Sequence, residues 1–214
     1  MCIRDSIVGG EDGIPNELMR GAIRITKAVE GDGSLEGFAF RIAGTTINGT
    51  PVEIVAETDA NGEIHIPDMP LGEYEVTELA NERTVGYILP DRQTVTVELG
   101  DPAELAFENL LIRGGFHLLK VDADDHDKRL DGAVFGLYTV DGDLLDEFTV
   151  EGGEYQRDGL LYGAYYLLEH EAPEGYELAD HPFMFTINEH GEVIEIVAEN
   201  ERSTGCLLYT SRCV

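Results

Sequence analysis

Apolar and polar positions alternate along most of the chain, in short runs separated by turn signals, and helical periodicity sustained over ten residues is hard to find. Residues two apart share a face of a strand. On that rule Ile23, Ile25, Lys27 and Val29 form one face of a first strand, opposite Ala22, Arg24, Thr26 and Ala28. Tyr74, Val76 and Glu78 share a face further on, as do Leu105, Phe107 and Asn109. The run Leu160 to Leu168, with Gly163 and three tyrosines, reads as strand rather than membrane span. Turns are predicted at Thr58-Asp59-Ala60-Asn61-Gly62 and at Asp141-Gly142-Asp143, where glycine supplies a positive φ. About seven short strands per unit imply an all-β sandwich.

The pattern occurs twice. Gly72, Tyr74 and Glu78 recur as Gly163, Tyr165 and Glu169, all at a spacing of 91 residues. Gly37-Phe38-Ala39-Phe40 answers to Gly132-Ala133-Val134-Phe135, Gly86-Tyr87 to Gly175-Tyr176, and Phe107-Glu108-Asn109 to Ala198-Glu199-Asn200. Two divergent repeats, 20–110 and 114–201, explain the length of 214 residues better than one domain, with residues 110–114 as the link.

In each repeat three polar residues extend apolar rows. Lys27, Glu78 and Asn109 do so in the first; Lys120 (after Phe116 and Leu118), Glu169 (after Tyr165 and Leu167) and Asn200 (after Ile194, Ile196 and Ala198) do so in the second. Lys and Glu are almost never fully buried unless paired, and an isolated buried charge costs several kcal/mol. One such residue is ordinarily a strand end whose side chain escapes to solvent. Recurrence of the same three types, in order and in phase, argues against that and leaves a buried salt bridge braced by asparagine, or a reactive site.

Composition narrows the function classes. The chain carries 43 acidic and 14 basic side chains, a formal charge of -29, and both repeats share the excess. Nucleic acid and anionic membrane surfaces are therefore excluded as partners. Hydrophobic residues make up 43%, enough for packed cores. The three cysteines, Cys2, Cys206 and Cys213, all lie near the ends. Met1 to Ser6 and Cys206 to Val214 resemble translated sequencing-adapter read-through, so 1–19 is read as the tail of a preceding segment plus an artefactual start, and 202–214 as an artefactual or disordered end. Residues 3 to 205 contain no cysteine, and no thiol chemistry needs explaining.

Each repeat resembles the B-type repeat domain of Gram-positive collagen adhesins, the prealbumin-like (Ig-like, transthyretin-like) β-sandwich also used in pilins of the SpaA kind. The residues that carry the resemblance are Gly21-Ala22-Ile23-Arg24-Ile25-Thr26-Lys27 with Leu35 to Phe40, Gly72 to Glu78 and Phe107-Glu108-Asn109. In the second repeat they are Leu130 to Phe135, Tyr165 to Glu169, Ala172-Pro173-Glu174-Gly175-Tyr176 and Glu199-Asn200. The first repeat departs by lacking Ala-Pro-Glu before Gly86-Tyr87. The resemblance implies an intramolecular isopeptide bond formed without cofactor or metal: Lys27 to Asn109 with Glu78 as catalyst, and Lys120 to Asn200 with Glu169. Burial lowers a lysine pKa and raises a carboxyl pKa, which suits a neutral amine nucleophile and a protonated acid that polarises the amide. Phe40, Phe107 and Phe135 are the rings expected to keep the sites dry. The resemblance further implies a secreted, wall-anchored stalk or pilin-like segment. Its partners would be neighbouring domains, a sortase in the full-length protein, and, on an adhesive reading, a host matrix protein or glycan.

Other chemistry finds little support. No P-loop, dinucleotide glycine pattern, HExxH or G-x-S-x-G is present, and the six histidines lack zinc-ligand spacing. Asp122, Asp124, Asp125 and Asp127 lack the closing glutamate of a calcium loop and read as a solvated acidic loop. Alternation places Tyr165 inward and Tyr162 and Tyr166 on the other face.

Overall fold

The structure, a computed structural model, describes residues 19–203. Both segments that resemble adapter sequence, and all three cysteines, lie outside the described residues. Among the described residues every regular element is a strand except for one 3-10 turn, Glu82–Thr84. Packing divides it into two compact units, residues up to Arg83 with Pro90–Glu108, and Thr84–Leu89 with the chain from Asn109 on, so the division falls inside a strand.

The first repeat contains β1 (Arg20–Val29), β2 (Ala39–Thr46), β3 (Pro51–Glu57), β4 (Glu63–Pro70), β5 (Gly72–Glu78), β6 (Tyr87–Ile88), β7 (Gln93–Val97) and β8 (Ala103–Leu111). They form two four-stranded sheets, ordered β4-β1-β8-β6 and β3-β2-β5-β7. The alternation that predicts the strands is the alternation of burial: Ile23 and Ile25 of β1, Phe40 and Ile42 of β2, Tyr74 and Val76 of β5 and Phe107 of β8 are all buried between the sheets. Each side chain of that size contributes about 1.5–3 kcal/mol when fully removed from water. The predicted 58–62 turn is present. Gly62 adopts φ 78°, and the Asp59 carboxylate accepts from the Asn61 and Glu63 amides at 2.9 Å.

The second repeat contains β9 (Arg113–Asp122), β10 (Asp125–Arg129), β11 (Val134–Thr139), β12 (Leu144–Thr149), β13 (Glu154–Leu161), β14 (Gly163–Glu171), β15 (Phe183–Ile187) and β16 (Val193–Asn200). One sheet runs β10-β9-β13 with β16 also paired to β9; the other runs β12-β11-β14-β15. The last strand is parallel to the first, with Ala198 opposite Lys120 and Asn200 opposite Asp122. Eight strands per repeat replace the expected seven. The apolar run 160–168 is broken at Tyr162, where a bend separates β13 from β14, and does not continue as one strand.

The two repeats share a detail of packing. The inward tyrosine of β5, Tyr74, donates its hydroxyl to the Pro70 carbonyl at 2.8 Å, and Tyr165 of β14 donates to Leu161 at 2.8 Å. Each phenol buries its ring while its polar end finds an acceptor four residues back.

Candidate functional site

The second repeat draws its three polar row residues together. Lys120 follows Leu118 on the inward face of β9, and Asn200 follows Ala198 on the neighbouring β16; Glu169 follows Leu167 on β14 of the facing sheet. Their exposures are 0%, 2% and 2%. Lys120 Nζ approaches Glu169 Oε1 to 3.1 Å without hydrogen-bond alignment. The other carboxylate oxygen, Oε2, accepts from Asn200 Nδ2 at 2.7 Å. One carboxylate therefore spans the amine and the amide nitrogen, an oxygen on each.

Two backbone groups complete the arrangement. The Ala179 N–H donates to the same Glu169 Oε2 at 2.7 Å, and Asn200 Nδ2 donates to the Glu177 carbonyl at 2.6 Å. Asn200 Oδ1 is buried with no hydrogen-bond partner among the described residues. Lys120 Nζ lies over the Phe135 ring, 5.5 Å from its centroid. Burial drives the Lys120 pKa down, and the opposing pull of the Glu169 charge only partly offsets it. A cavity of about 320 Å³, lined by Glu177, Ala179, Asp180, His181 and Glu199, reaches Asn200.

In the first repeat Lys27 Nζ lies 3.4 Å from Glu78 Oε2, with both side chains withdrawn from solvent. Asn109 is wholly buried, on the face of β8 that carries Leu105 and Phe107. Burial again lowers the lysine pKa, against the charge of Glu78. The ring beneath Lys27 is Phe38, at 5.0 Å, while the expected Phe40 and Phe107 are buried as well. Those two pack on each other with centroids 4.9 Å apart. Phe38 precedes β2, its amide held by the Thr58 hydroxyl, so strand alternation could not place it. Phe40 keeps a different correspondence: it lies opposite Glu78, as Phe135 lies opposite Glu169. The whole chain has only three lysines, and two of them are these.

The acidic segment is solvated at Asp124, Asp125 and Asp127, as expected, but it is not all loop and Asp122 is not part of the solvated set. Residues 125–129 form β10, and Asp122 is 1% exposed. Its carboxylate takes hydrogen bonds from the Tyr176 hydroxyl at 2.8 Å, Arg202 Nε at 2.9 Å and Lys128 Nζ at 3.2 Å. Lys128 also meets the Tyr176 hydroxyl. Tyr176 belongs to the Ala-Pro-Glu-Gly-Tyr segment, so this cluster ties that segment to the ends of β9 and β16. The pairing partners lie 54 and 80 residues from Asp122, beyond any local pattern. Among the described residues no group of three or more His, Cys, Asp or Glu side chains is arranged to hold a metal ion.

A family model described as SpaA, prealbumin-like fold domain, matches residues 21–110 and again 114–202. No curated protein sequence matches the chain. Among solved structures, the Bacillus anthracis TIE protein is similar at 27% identity and a TM-score of 0.73, over 86% of this chain and 34% of that one. A streptococcal ancillary pilin aligns at 24% identity and a TM-score of 0.41, over 88% of this chain and 64% of that one. GBS52, a minor pilin of Streptococcus agalactiae, aligns at 18% and 0.41, over 86% and 97%. The chain thus spans about a third of the length of the Bacillus anthracis protein it resembles.

Proposed function

The chain belongs to the SpaA family of prealbumin-like fold domains, in two tandem copies, and we propose that it is a structural, pilin-type stalk segment of a Gram-positive surface protein. Each copy closes itself with a Lys–Asn isopeptide bond, Lys27 to Asn109 and Lys120 to Asn200. Glu78 and Glu169 are the catalytic groups. The observation that carries this reading is the second site: a buried lysine and a buried asparagine bridged by the two oxygens of one buried carboxylate.

The chemistry follows from that geometry. Lys120 gives a proton to Glu169 Oε1, which burial favours because it removes two charges at once. The neutral amine attacks Asn200 Cγ, so Nζ–Cγ forms and Cγ–Nδ2 breaks. Nζ starts with three hydrogens and keeps one. Of the two it sheds, one leaves with Nδ2 as ammonia and the other stays on the Glu169 carboxyl or departs with ammonia as ammonium. Folding holds the partners in place, so no cofactor is required. The cavity beside Asn200 offers the ammonia a way out. Each site turns over once, and the chain is not an enzyme in the sense of repeated catalysis.

A covalent link between first and last strands suits a stalk, since tension between the ends of a repeat then bypasses the strands between. Its partners on this reading are neighbouring domains of the same protein, with a sortase acting on the full-length chain at the cell wall. Intact mass of the denatured protein tests it: a deficit of two ammonia supports it, and the unmodified mass sinks it. Glu78→Ala and Glu169→Ala should each restore one ammonia. An adhesive role toward a glycan or matrix protein is a second reading. It is favoured by the half-buried ring pair Tyr138 and Tyr166, stacked at 4.9 Å, and direct pull-down checks it.

A further inference from the structure

The two sites differ at one backbone position. Gly86-Tyr87-Ile88-Leu89-Pro90-Asp91 corresponds to Gly175-Tyr176-Glu177-Leu178-Ala179-Asp180. Strand register fixes the correspondence independently of residue likeness. Tyr87 lies opposite Leu111 and Tyr176 bridges Arg202, and each of those partners sits two residues past the crosslinking asparagine of its repeat. Both segments enter through a glycine in the left-handed region, Gly86 at φ 83° and Gly175 at φ 85°. Position 90 of the first repeat is therefore position 179 of the second.

Ala179 uses its N–H to hold Glu169 Oε2 at 2.7 Å. Proline has no N–H, so whatever else Glu78 meets, position 90 donates nothing to it. Oε2 already accepts from Asn200 Nδ2, so the Ala179 bond gives that oxygen a second donor. This has two consequences. The carboxylate is fixed about its long axis with Oε1 turned to Lys120, and the lone pairs left open to the lysine proton are those of Oε1. The lysine-to-carboxylate distances follow the same order, 3.1 Å in the second repeat and 3.4 Å in the first.

We infer that the Ala179 N–H is a positioning group for the Lys120–Asn200 reaction and that Pro90 deprives the Lys27–Asn109 reaction of its counterpart, so the second repeat closes before the first. This rests on the crosslinking proposed above. The rate difference is about tenfold, the equivalent of the lower end of one hydrogen bond to a charged acceptor.

The full chain, synthesised in a cell-free system and sampled over time, gives each rate separately when the two crosslinked peptides are followed by mass spectrometry. In the wild type the Lys120–Asn200 peptide should appear about tenfold faster. Ala179→Pro should slow that bond about tenfold and leave Lys27–Asn109 unchanged; Ala179→Gly keeps the N–H and should keep the wild-type rate. Leu-Pro occupies the corresponding place in the first repeat, so proline suits the local chain path. Pro90→Ala should speed the first bond, a gain that no folding defect produces. Equal rates for proline and glycine at 179, or no gain from Pro90→Ala, overturn the inference while the crosslinks stand. Absence of ammonia loss in every variant overturns the crosslinking itself.

Discussion

The proposed bond in the second repeat closes a loop from Lys120 to Asn200, 80 residues apart. For a loop of that span the lost freedom of the unfolded chain is worth about 4.5 kcal/mol. A single substitution would confuse this with the cost of stranding a buried charge, which alone reaches about 3–5 kcal/mol. The clean perturbation is the double variant Lys120→Met/Glu169→Gln. Methionine fills the space of the lysine stem beside Phe135, and the glutamine carbonyl still accepts from the Ala179 N–H. Replacing a buried ion pair with neutral groups of similar volume is close to neutral for stability, so what remains is the loss of the crosslink. For a repeat of this size each kcal/mol moves the melting temperature by about 4–8 °C, which predicts a fall of about 18–36 °C in the transition of the second repeat. Calorimetry reads the transition and intact mass reads the bond. A double variant that melts within a few degrees of wild type, with both proteins at their unmodified masses, would show that the buried triad is an ion pair and nothing more.

Three further outcomes are expected. Tyr165→Phe removes the hydroxyl that bonds the Leu161 carbonyl and should cost about 1 kcal/mol in thermal melts, with little change in the mass deficit. Gly62→Ala should destabilise the first repeat by about 1–3 kcal/mol, because the residue holds φ 78° and a Cβ would sit 2.7 Å from the Lys27 carbonyl. Burial pushes the Asp122 carboxyl up, but the hydrogen bonds of Tyr176, the Asp124 amide, Arg202 and Lys128 outweigh it and hold its pKa well below the usual range. A depressed folded pKa contributes stability that is complete above the unfolded aspartate pKa of about 3.9 and is lost as pH falls toward the folded value. Melting of the second repeat followed downward from pH 6 should therefore decline less steeply in Asp122→Asn than in wild type.

Period-two alternation carries most of the fold, and it does so because each sheet buries one face. Ile23, Ile25 and Lys27 read as one row in the sequence and are one buried row in the structure. The same rule isolates the six polar row residues, since a lysine or glutamate in phase with isoleucine and tyrosine is improbable unless something uses it. Three features escape the sequence reading, each for a physical reason, although Asp122 is in phase with Phe116, Leu118 and Lys120. Phe38 reaches Lys27 from a segment before β2, where side chains do not alternate. Ala179 and Glu177 act through backbone atoms, to which the side-chain pattern is blind. Asp122 is buried because Tyr176 and Arg202, distant in sequence, converge on it, whereas its immediate neighbours Asp124, Asp125 and Asp127 suggest a hydrated loop.

The electrostatics of the sites give the proposed reaction its direction. A lysine and a glutamate wholly withdrawn from water are held at a cost of several kcal/mol per ion, only partly repaid by their attraction. Proton transfer within the pair cancels both charges, and the lowered lysine pKa shows which way burial pushes. Attack on the amide then removes the amine for good, leaving a neutral linkage with one N–H and one carbonyl to satisfy. In the second repeat acceptors for that N–H are already in place, because Glu169 Oε2 and the Glu177 carbonyl now hold Asn200 Nδ2. Departure of ammonia from a site with a neighbouring cavity makes the step effectively irreversible in dilute solution. The cost of burying the lysine and its carboxylate, in an otherwise acidic protein, thus lies where the proposed reaction discharges it. A variant that keeps the pair but cannot react, such as Asn200→Ala, should retain the cost without the bond and be less stable than Lys120→Met/Glu169→Gln, in which the charges are gone. If Asn200→Ala proves the more stable of the two, burial of the charged pair is not what drives the chemistry.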